Sequence, residues 1–268
     1  MTILTREYPM NDTATPVPAA TILMLRESPT GMEVFMVVRH HQIDFVGGAL
    51  VFPGGKIDPG DSLVRHRCSG VDHLDDEMLS MQAGAIREAF EECGILLARP
   101  ADSEQLVSRE RLKSLDHYRT PLNNDEISLL DFLEKEDLVL ACELLQPFAH
   151  WVTPEMMPKR FDTWFYIAEA PSDHLAIHDG HESVDSIWIS PADALTGAQS
   201  GKYTIIFPTR LNIEMLAESH DVASALEDAR KREIVSVTPW TEKREDGMYL
   251  CIPENAGYAV SAEKMERS

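Results

Sequence analysis

Three glutamates, Glu88, Glu91 and Glu92, follow one another closely in the sequence. At positions i, i+3 and i+4 of a helix they share one face about one turn long. Carboxylates held this close repel one another unless a cation lies between them, and Mg²⁺ prefers oxygen ligands and binds beside substrate phosphates. Arg87 precedes Glu91 by four residues and can hold that carboxylate in place. The pattern therefore favours a metal-binding helix; the alternative is a solvated acidic face.

The elements that must position this face are also visible in the sequence. Apolar residues recur at helical spacing through the same stretch, at Ile86, Phe90 and Cys93. Gly94 follows, where a helix-ending glycine is common. Upstream, the apolar run at residues 49–52 predicts a buried strand, which breaks into a loop at Gly54 and Gly55, where glycine lets the backbone approach a ligand. Strand, glycine loop and carboxylate helix together indicate a site for a metal ion and a phosphate.

The two halves resemble the Nudix box, Gly-x5-Glu-x7-Arg-Glu-U-x-Glu-Glu-x-Gly-U, where U is apolar. Gly55 matches the first glycine, and residues 87–95 match every fixed position. Asp61 stands where the family has glutamate. Residues 62–86 take the place of a seven-residue spacer, an insertion of eighteen residues, so that the box spans residues 55–95. Long loop insertions cost little closure entropy, so this spacing is compatible with the fold.

The resemblance implies metal-dependent hydrolysis of a nucleoside diphosphate linked to a second group, with Mg²⁺ or Mn²⁺ as cofactor. It implies as metal ligands Glu88, Glu91, Glu92, the Gly55 carbonyl and Asp61, the last either directly, through water, or as support for the others. Arg87 would orient Glu91. The general base is left open between Glu91 and Glu182. The expected substrate contacts are Arg39, Gly54, Gly55 and Arg160.

Within the family, the chain is similar to the mammalian peroxisomal coenzyme A diphosphatase branch. The likeness rests on the insertion in the box, on the Trp151-x-Thr153-Pro154 turn and on residues 160–163. A coenzyme A signature upstream of the box is half kept: Arg39, Gly48 and residues 52–55 match, whereas His40 and Asp44 replace the expected small residue and cation. The resemblance implies coenzyme A or acyl-coenzyme A as substrate, with 3′,5′-ADP and a 4′-phosphopantetheine product. The alternatives are hydrolysis of ADP-ribose, NADH or another dinucleotide, and a nucleotide sensor that does not cleave.

Composition excludes several partners. The chain of 268 residues carries 24 Lys and Arg against 45 Asp and Glu, a net charge of −21. This charge argues against nucleic acid and anionic membranes as partners. The sequence shows no apolar run of membrane-spanning length, no signal-peptide pattern and no peroxisomal Ser-Lys-Leu ending, so we expect a cytoplasmic protein with a small-molecule substrate. The four cysteines have no metal-ligand spacing and are expected to be reduced. The family resemblance makes a homodimer possible.

Strand and helix patterns alternate through one continuous chain. We therefore predict a single domain over residues 1–268 of the α/β (α+β) class, a Nudix-type α/β/α sandwich with a mixed sheet and a core at about residues 19–218. Residues 103–148 are expected to form a helical cap over the cleft, including one helix from Asn123 towards His150. Residues 62–76 are expected to be a solvated loop. A C-terminal extension, at about residues 219–260, should hold a helix and a hairpin that pairs residues 233–237 with residues 248–252.

Overall fold

A computed structural model of the chain describes residues 14–39, 48–174 and 183–265. Within these ranges, thirteen strands form one large sheet and two small ones. The strands of the large sheet are β1 (Val17–Ser28), β2 (Gly31–Arg39), β3 (Leu50–Val51), β4 (Gly54–Lys56), β7 (Gln146–Val152), β8 (Phe161–Glu169), β9 (Ser183–Ile189) and β10 (Ser236–Val237). The small sheets pair β5 (Ala98–Pro100) with β6 (Leu138–Leu140), and β11 (Trp240–Arg244) with β12 (Gly247–Cys251) and β13 (Ala262–Lys264).

The α-helices are interspersed among these strands, with three in succession between β5 and β6 and three between β9 and β10. They are α1 (Asp76–Cys93), α2 (Arg109–Leu115), α3 (Arg119–Asn123), α4 (Leu129–Lys135), α5 (Pro191–Gln199), α6 (Phe207–Leu216) and α7 (Val222–Lys231). A 3-10 helix at Pro59–Arg67 lies between β4 and α1. None of the helices described is long and apolar enough to span a bilayer.

The large sheet is mixed. Its order is β10-β7-β8-β1-β2-β3, with β4 paired to β1 and β9 paired to β2. β1 runs parallel to β8 and antiparallel to β2 and β4. Two hairpins contribute to this sheet: β1 turns into β2 at residues 28–31, and β7 pairs antiparallel with β8. The parallel contact of β1 with β8 brings the start of the chain beside residues that follow the box.

Apolar side chains cover both faces of this sheet. One cluster packs α1 and residues 95–145 against one face and includes Ile22, Phe35 and Phe90. The other packs α5, α6 and α7 against the opposite face and includes Leu23, Met36 and Leu211. Neighbouring residues of β1, Ile22 and Leu23, are therefore both fully buried on opposite sides. The predicted class, a mixed sheet between helical layers, is confirmed.

The helix predicted from Asn123 towards His150 is wrong. Helix α4 ends at Lys135, Asp137 adopts a left-handed φ of 51°, and the chain continues as β6 and β7. β6 pairs antiparallel with β5, where Pro100 lies opposite Leu138 and Ala98 opposite Leu140. The leucine spacing that indicated a long helix is satisfied instead by burial on a short helix and two strands.

Two further expectations are corrected. Residues 62–76 are not a simple loop, because the 3-10 helix occupies residues 59–67 and α1 begins at Asp76, eleven residues before Arg87. A C-terminal hairpin is present, but β12 pairs with β11 instead of residues 233–237, and because Arg244 lies opposite Gly247 its turn is at residues 245–246. Residues 236–237 pair instead in parallel with His150 and Trp151 of β7, which extends the large sheet.

Candidate active site

Helix α1 carries the box glutamates in its last two turns. Asp75 caps its start by accepting a hydrogen bond from the Met78 backbone N–H at 2.8 Å. Gly94 ends it with a left-handed φ of 67°, and its N–H donates back to the Phe90 carbonyl at 2.9 Å. The apolar side of α1 packs on the sheet, so the glutamates at its C-terminal end lie beside the glycine loop that becomes β4.

Arg87 joins these parts in one buried network. Its Nε and Nη2 donate to the two carboxylate oxygens of Asp61 at 2.9 and 3.0 Å, and Nη2 also donates to the Lys56 carbonyl at 2.8 Å. Nη1 donates to Glu88 and to Glu91, each at 3.1 Å. Burial lowers the pKa of Arg87, but the neighbouring carboxylates outweigh it and hold the net pKa above its usual value. The guanidinium therefore fixes the loop and both glutamates relative to one another.

Burial of Glu91 disfavours the charged form of its carboxylate. It is only 3% exposed, and its Oε1 is buried without a hydrogen-bond partner among the described residues. Burial raises the pKa of Glu91 to about 8, with Glu88 adding to the rise and Arg87 opposing it. An unpaired oxygen at this position has a vacant interaction that a ligand or ion would satisfy.

The glycine loop lies directly against the glutamates. A Cβ atom at Gly55 would come within 2.5 Å of Glu88 Oε1, so that no other residue fits there while Glu88 keeps its position. The Gly54 N–H donates to Glu92 Oε2 at 3.0 Å. Glu88 faces the open space with 12% of its side chain exposed, whereas the Glu92 carboxylate is turned towards the loop backbone.

The donor set fits a hard divalent cation in part. Among the residues that the structure describes, no three His, Cys, Asp or Glu side chains are already grouped tightly enough to hold an ion alone. However, Mg²⁺ is commonly held by one or two carboxylates together with waters and substrate oxygens. Glu88 and Glu91 supply two such carboxylates, and the unpartnered Glu91 Oε1 gives one of them an unused lone pair. The fit is therefore to an ion that also needs the substrate.

A cavity of about 470 Å³ opens in front of these carboxylates. Its floor is the sheet, through alternate residues of the parallel pair β1 and β8: Ala19, Thr21, Phe161, Thr163 and Phe165. One wall holds the box residues Gly54, Gly55, Lys56, Asp58, Arg87, Glu88 and Glu91. The lining also includes Leu122, Asn123 and Asp125 from the predicted cap, together with Lys159, Ile206 and Thr209. Part of the 103–148 segment thus lines the cleft.

The structure separates the predicted residues into two groups. Arg87, Glu88, Glu91, Gly54 and Gly55 come together at the cavity. Asp61 lies behind them, fully buried, with both oxygens accepting from Arg87 and Oδ2 also accepting from the Asp58 N–H at 2.9 Å. Of the roles expected for Asp61, namely binding the metal directly or through water, or supporting the other ligands, this geometry favours support. Burial raises the pKa of Asp61, and the Arg87 contacts oppose that rise.

Arg160 does not make the expected substrate contact. It is 9% exposed, and its Nε and Nη1 donate to the carbonyls of Thr153 and Ala14 at 3.0 and 2.9 Å. The first bond closes the turn between β7 and β8, and the second ties this turn to the residues before β1. The neighbouring Lys159, which the sequence analysis overlooked, lines the cavity instead. The Arg39 side chain, Asp44 and Glu182 lie outside the residues described, so their expected roles remain predictions.

Lys56, Asn123, Asp125 and Lys159 are the cavity residues that the sequence did not reveal. Lys56 directly follows Gly55 in the sequence, so its nearness to the glycine loop could have identified it. The other three come from distant segments, and only the fold brings them to the box.

Known proteins resemble this chain in sequence and in structure. The family model described as the NUDT19 Nudix domain matches residues 63–216. A Caenorhabditis elegans protein, provisionally named nudix hydrolase 7, is 25% identical over 203 residues, which cover 76% of this chain and 61% of that protein. The acyl-coenzyme A diphosphatase NUDT19 of Xenopus laevis is 23% identical over 265 residues, which cover 82% of this chain and 70% of the frog protein. The crystal structure of a NUDIX hydrolase from Alicyclobacillus acidocaldarius superposes with a TM-score of 0.69 at 26% identity, covering 80% of this chain and 96% of the other.

Proposed function

We propose that this chain, which belongs to the Nudix hydrolase family in the branch described as the NUDT19 Nudix domain, hydrolyses the phosphoanhydride of a nucleoside diphosphate linked to a second group. The observation that carries the proposal is the cavity in which Gly55, Glu88 and Glu91 meet, held together by Arg87. Phosphoanhydride hydrolysis needs little covalent chemistry from a protein, because positioning and charge neutralisation supply most of the catalysis.

The charges that line the cavity support a need for a divalent cation. Its described lining holds three cationic side chains, Lys56, Arg87 and Lys159, against four carboxylates, Asp58, Glu88, Glu91 and Asp125. Arg87 is already committed to carboxylates. A diphosphate would therefore meet a wall with a net negative charge, which a bound Mg²⁺ or Mn²⁺ would reverse. Bound between Glu88, Glu91 and the substrate, such an ion would supply Lewis-acid stabilisation of the phosphoryl oxygens.

The residues of the chain have distinct tasks in this proposal. Arg87 fixes the orientation of Glu88 and Glu91, and Asp61 fixes Arg87. Glu91 is the described candidate for the group that takes a proton from the attacking water, because it lines the cavity and its Oε1 has no hydrogen-bond partner among the described residues. Glu182 remains the rival. The exposed cations Lys56 and Lys159 would contact the diphosphate oxygens.

We propose coenzyme A or an acyl-coenzyme A as the substrate, with 3′,5′-ADP and a 4′-phosphopantetheine compound as products. The support is the likeness to the acyl-coenzyme A diphosphatase of Xenopus laevis and the half-kept signature at Arg39 and Gly48. The chain spans 61% of the length of the Caenorhabditis elegans relative. ADP-ribose and NADH are the competing substrates.

The test is a turnover panel of the purified chain with Mg²⁺ or Mn²⁺. The substrates are coenzyme A, an acyl-coenzyme A, dephospho-coenzyme A, ADP-ribose and NADH, and the products are resolved by mass in ¹⁸O-labelled water. We expect 3′,5′-ADP from coenzyme A, with one labelled oxygen in one product. Faster turnover of ADP-ribose or NADH would overturn the coenzyme A assignment and leave the hydrolase standing. No cleavage of any diphosphate would overturn both.

A further inference from the structure

Helix α3 is bonded directly to the helix that carries the glutamates. Arg119, the first residue of α3, donates from Nε to the Glu91 carbonyl and from Nη2 to the Glu92 carbonyl, both at 3.1 Å. These carbonyls lie in the last turn of α1, where backbone acceptors lack helical partners. Its guanidinium also lies against Gly94, where a Cβ atom would come within 3.3 Å of Nη1. The position of α3 is therefore set by the catalytic helix itself.

The end of α3 places an aspartate where a glycine is usual. The Glu126 N–H donates to the Pro121 carbonyl at 2.8 Å, and the Asp125 N–H donates to the Leu122 carbonyl at 3.0 Å. These two bonds form the Schellman arrangement, in which the residue after the cap is left-handed and most often glycine. Asp125 has a φ of 56°. Among the described non-glycine residues, only Asp125 and Asp137 have a positive φ.

We propose that Asp125, together with Asn123, is a specificity-determining contact for the uncharged organic part of the substrate. Both side chains are exposed, and both residues line the same cavity as the box residues. The carboxylate of Asp125 accepts hydrogen bonds from hydroxyl or amide N–H donors of that part, and the Asn123 amide supplies both a donor and an acceptor. The inference rests on the proposed function, since it takes the diphosphate to lie at Glu88 and Glu91.

Charge decides which part of the substrate meets Asp125. A carboxylate repels phosphate oxygens, and the cavity holds cations for those oxygens elsewhere, at Lys56 and Lys159. The box carboxylates reach phosphate only through a cation. Asp125 is carried on a different element from them, so its side chain is left for neutral donors. Hydrogen bonds to a charged acceptor are among the stronger ones, which makes them effective in discrimination.

Two parts of a substrate offer this chemistry. One is the adenosine ribose, which dephospho-coenzyme A and ADP-ribose share and which in coenzyme A carries a 3′-phosphate. The other is the group beyond the diphosphate, which is rich in amides in dephospho-coenzyme A and in hydroxyls in ADP-ribose. A contact with the shared ribose lowers activity equally for dephospho-coenzyme A and ADP-ribose, whereas a contact with the second group changes their ratio.

The experiment compares Asp125→Asn and Asp125→Gly with the matched variants Asp137→Asn and Asp137→Gly. Asn and Gly both accept a left-handed backbone, so the turns should stay folded. Asp137 has a φ of 51° and belongs to the same chain segment, but it bonds to Arg67 at 2.9 Å and does not line the cavity. We measure kcat and KM for dephospho-coenzyme A and ADP-ribose, and the melting temperature of each variant.

We expect Asp125→Gly to raise KM about tenfold or more for at least one of the two substrates, which is the loss of one hydrogen bond to a charged group. Asp125→Asn should raise it less, because an acceptor remains. Both Asp137 variants should keep the KM of the unaltered chain. An unchanged KM in Asp125→Gly, or a loss confined to kcat, overturns the inference.

Binding of an uncleavable methylene analogue of ADP-ribose, measured by calorimetry, separates this inference from the proposed function. If the unaltered chain binds the analogue, binding depends on Asp125 and no diphosphate is cleaved, the recognition contact stands and the hydrolase proposal falls. If the chain cleaves diphosphates and Asp125→Gly leaves both binding and KM unchanged, the recognition contact falls and the hydrolase proposal stands. If the chain neither binds the analogue nor cleaves any diphosphate, both fall.

Discussion

The two sides of the cavity are built in opposite ways. On the α1 side, Arg87 and Glu91 are 5% and 3% exposed and bonded to each other. Asp61 accepts a further bond from Arg87 and so fixes the position of the guanidinium. On the side after α3, Asn123 and Asp125 are exposed and project from the end of a helix of only five residues. The charges of the first side are buried and mutually bonded, whereas the second side is held by the bonds from Arg119 to the end of α1 and by the burial of Leu122.

This difference separates chemistry from recognition. A metal-dependent reaction needs oxygens held at fixed distances, so the residues that hold them are locked by neighbours. Recognition of a variable organic group needs side chains that can be exchanged at little cost to the fold, and exposed turn residues meet this need. Three predictions test whether the division holds, and they run from the largest expected effect to the smallest.

Replacing Glu91 with glutamine should give the largest loss. Glu91→Gln keeps the shape of the side chain but removes the charge that a cation and a proton-transfer step both require, so we expect kcat to fall about a thousandfold. Glu77→Gln, on the exposed first turn of the same helix, is the control and should keep its activity.

Addition of Mg²⁺ should raise the melting temperature of the unaltered chain and not that of Glu91→Gln, because a ligand that binds only the folded state stabilises it. This readout is independent of activity. A folded Glu91→Gln protein with undiminished turnover would remove the metal site from the α1 side and with it the comparison.

Breaking the support behind that side should cost stability as well as activity. Asp61→Asn replaces the buried carboxylate that accepts two bonds from Arg87 with a neutral amide, and the weakening of these charge-assisted bonds should cost about 2 kcal/mol. The free energy of unfolding from urea denaturation measures this. The control, Asp76→Asn, breaks the exposed ion pair between Asp76 and Arg65. The Asp76 side chain is 83% exposed, so the free energy of unfolding should change by less than about 1 kcal/mol. Equal effects of the two changes would show that the Arg87 network is not rigid.

The smallest effect separates two neighbouring cations. Lys159→Met should raise KM about tenfold, which corresponds to about 1.4 kcal/mol of lost charge interaction with the diphosphate, and should leave the melting temperature unchanged. Arg160→Lys should lower the melting temperature and leave KM unchanged, because lysine cannot reproduce the bonds to the Thr153 and Ala14 carbonyls. The reverse pattern would restore Arg160 as the substrate contact.

The sequence revealed the α1 side because its residues are neighbours along the chain. Arg87, Glu88 and Glu91 stand on one helical turn, so spacing alone placed them on one face, and the glycine loop was recognisable from its type. Arg160 was misplaced because an arginine at the start of a strand has the same sequence pattern whether it bonds backbone carbonyls or a substrate. Only the distances to Thr153 and Ala14 distinguish the two.

The side after α3 was hidden for a different reason. Leu133, Leu140 and Phe148 were expected to face inward on one long helix, and all three are buried. The secondary structure predicted for them was nevertheless wrong, since β6 pairs with the distant β5 and β7 forms a hairpin with β8. Asp125 could not be recognised as a cavity residue, because its place depends on the tertiary bond from Arg119 to α1.

The pairing of β5 with β6 has a consequence for how this protein can change. Pro100 lies opposite Leu138, and the Ala101 N–H donates to the Asp137 carbonyl at 2.9 Å, so the chain leaves the domain and returns to it at neighbouring points. Residues 101–137 therefore form a cassette whose two ends are already joined by the host. The length and sequence of this segment can therefore differ between relatives at little entropic cost of loop closure. The condition is that an arginine equivalent to Arg119 still reaches the end of α1.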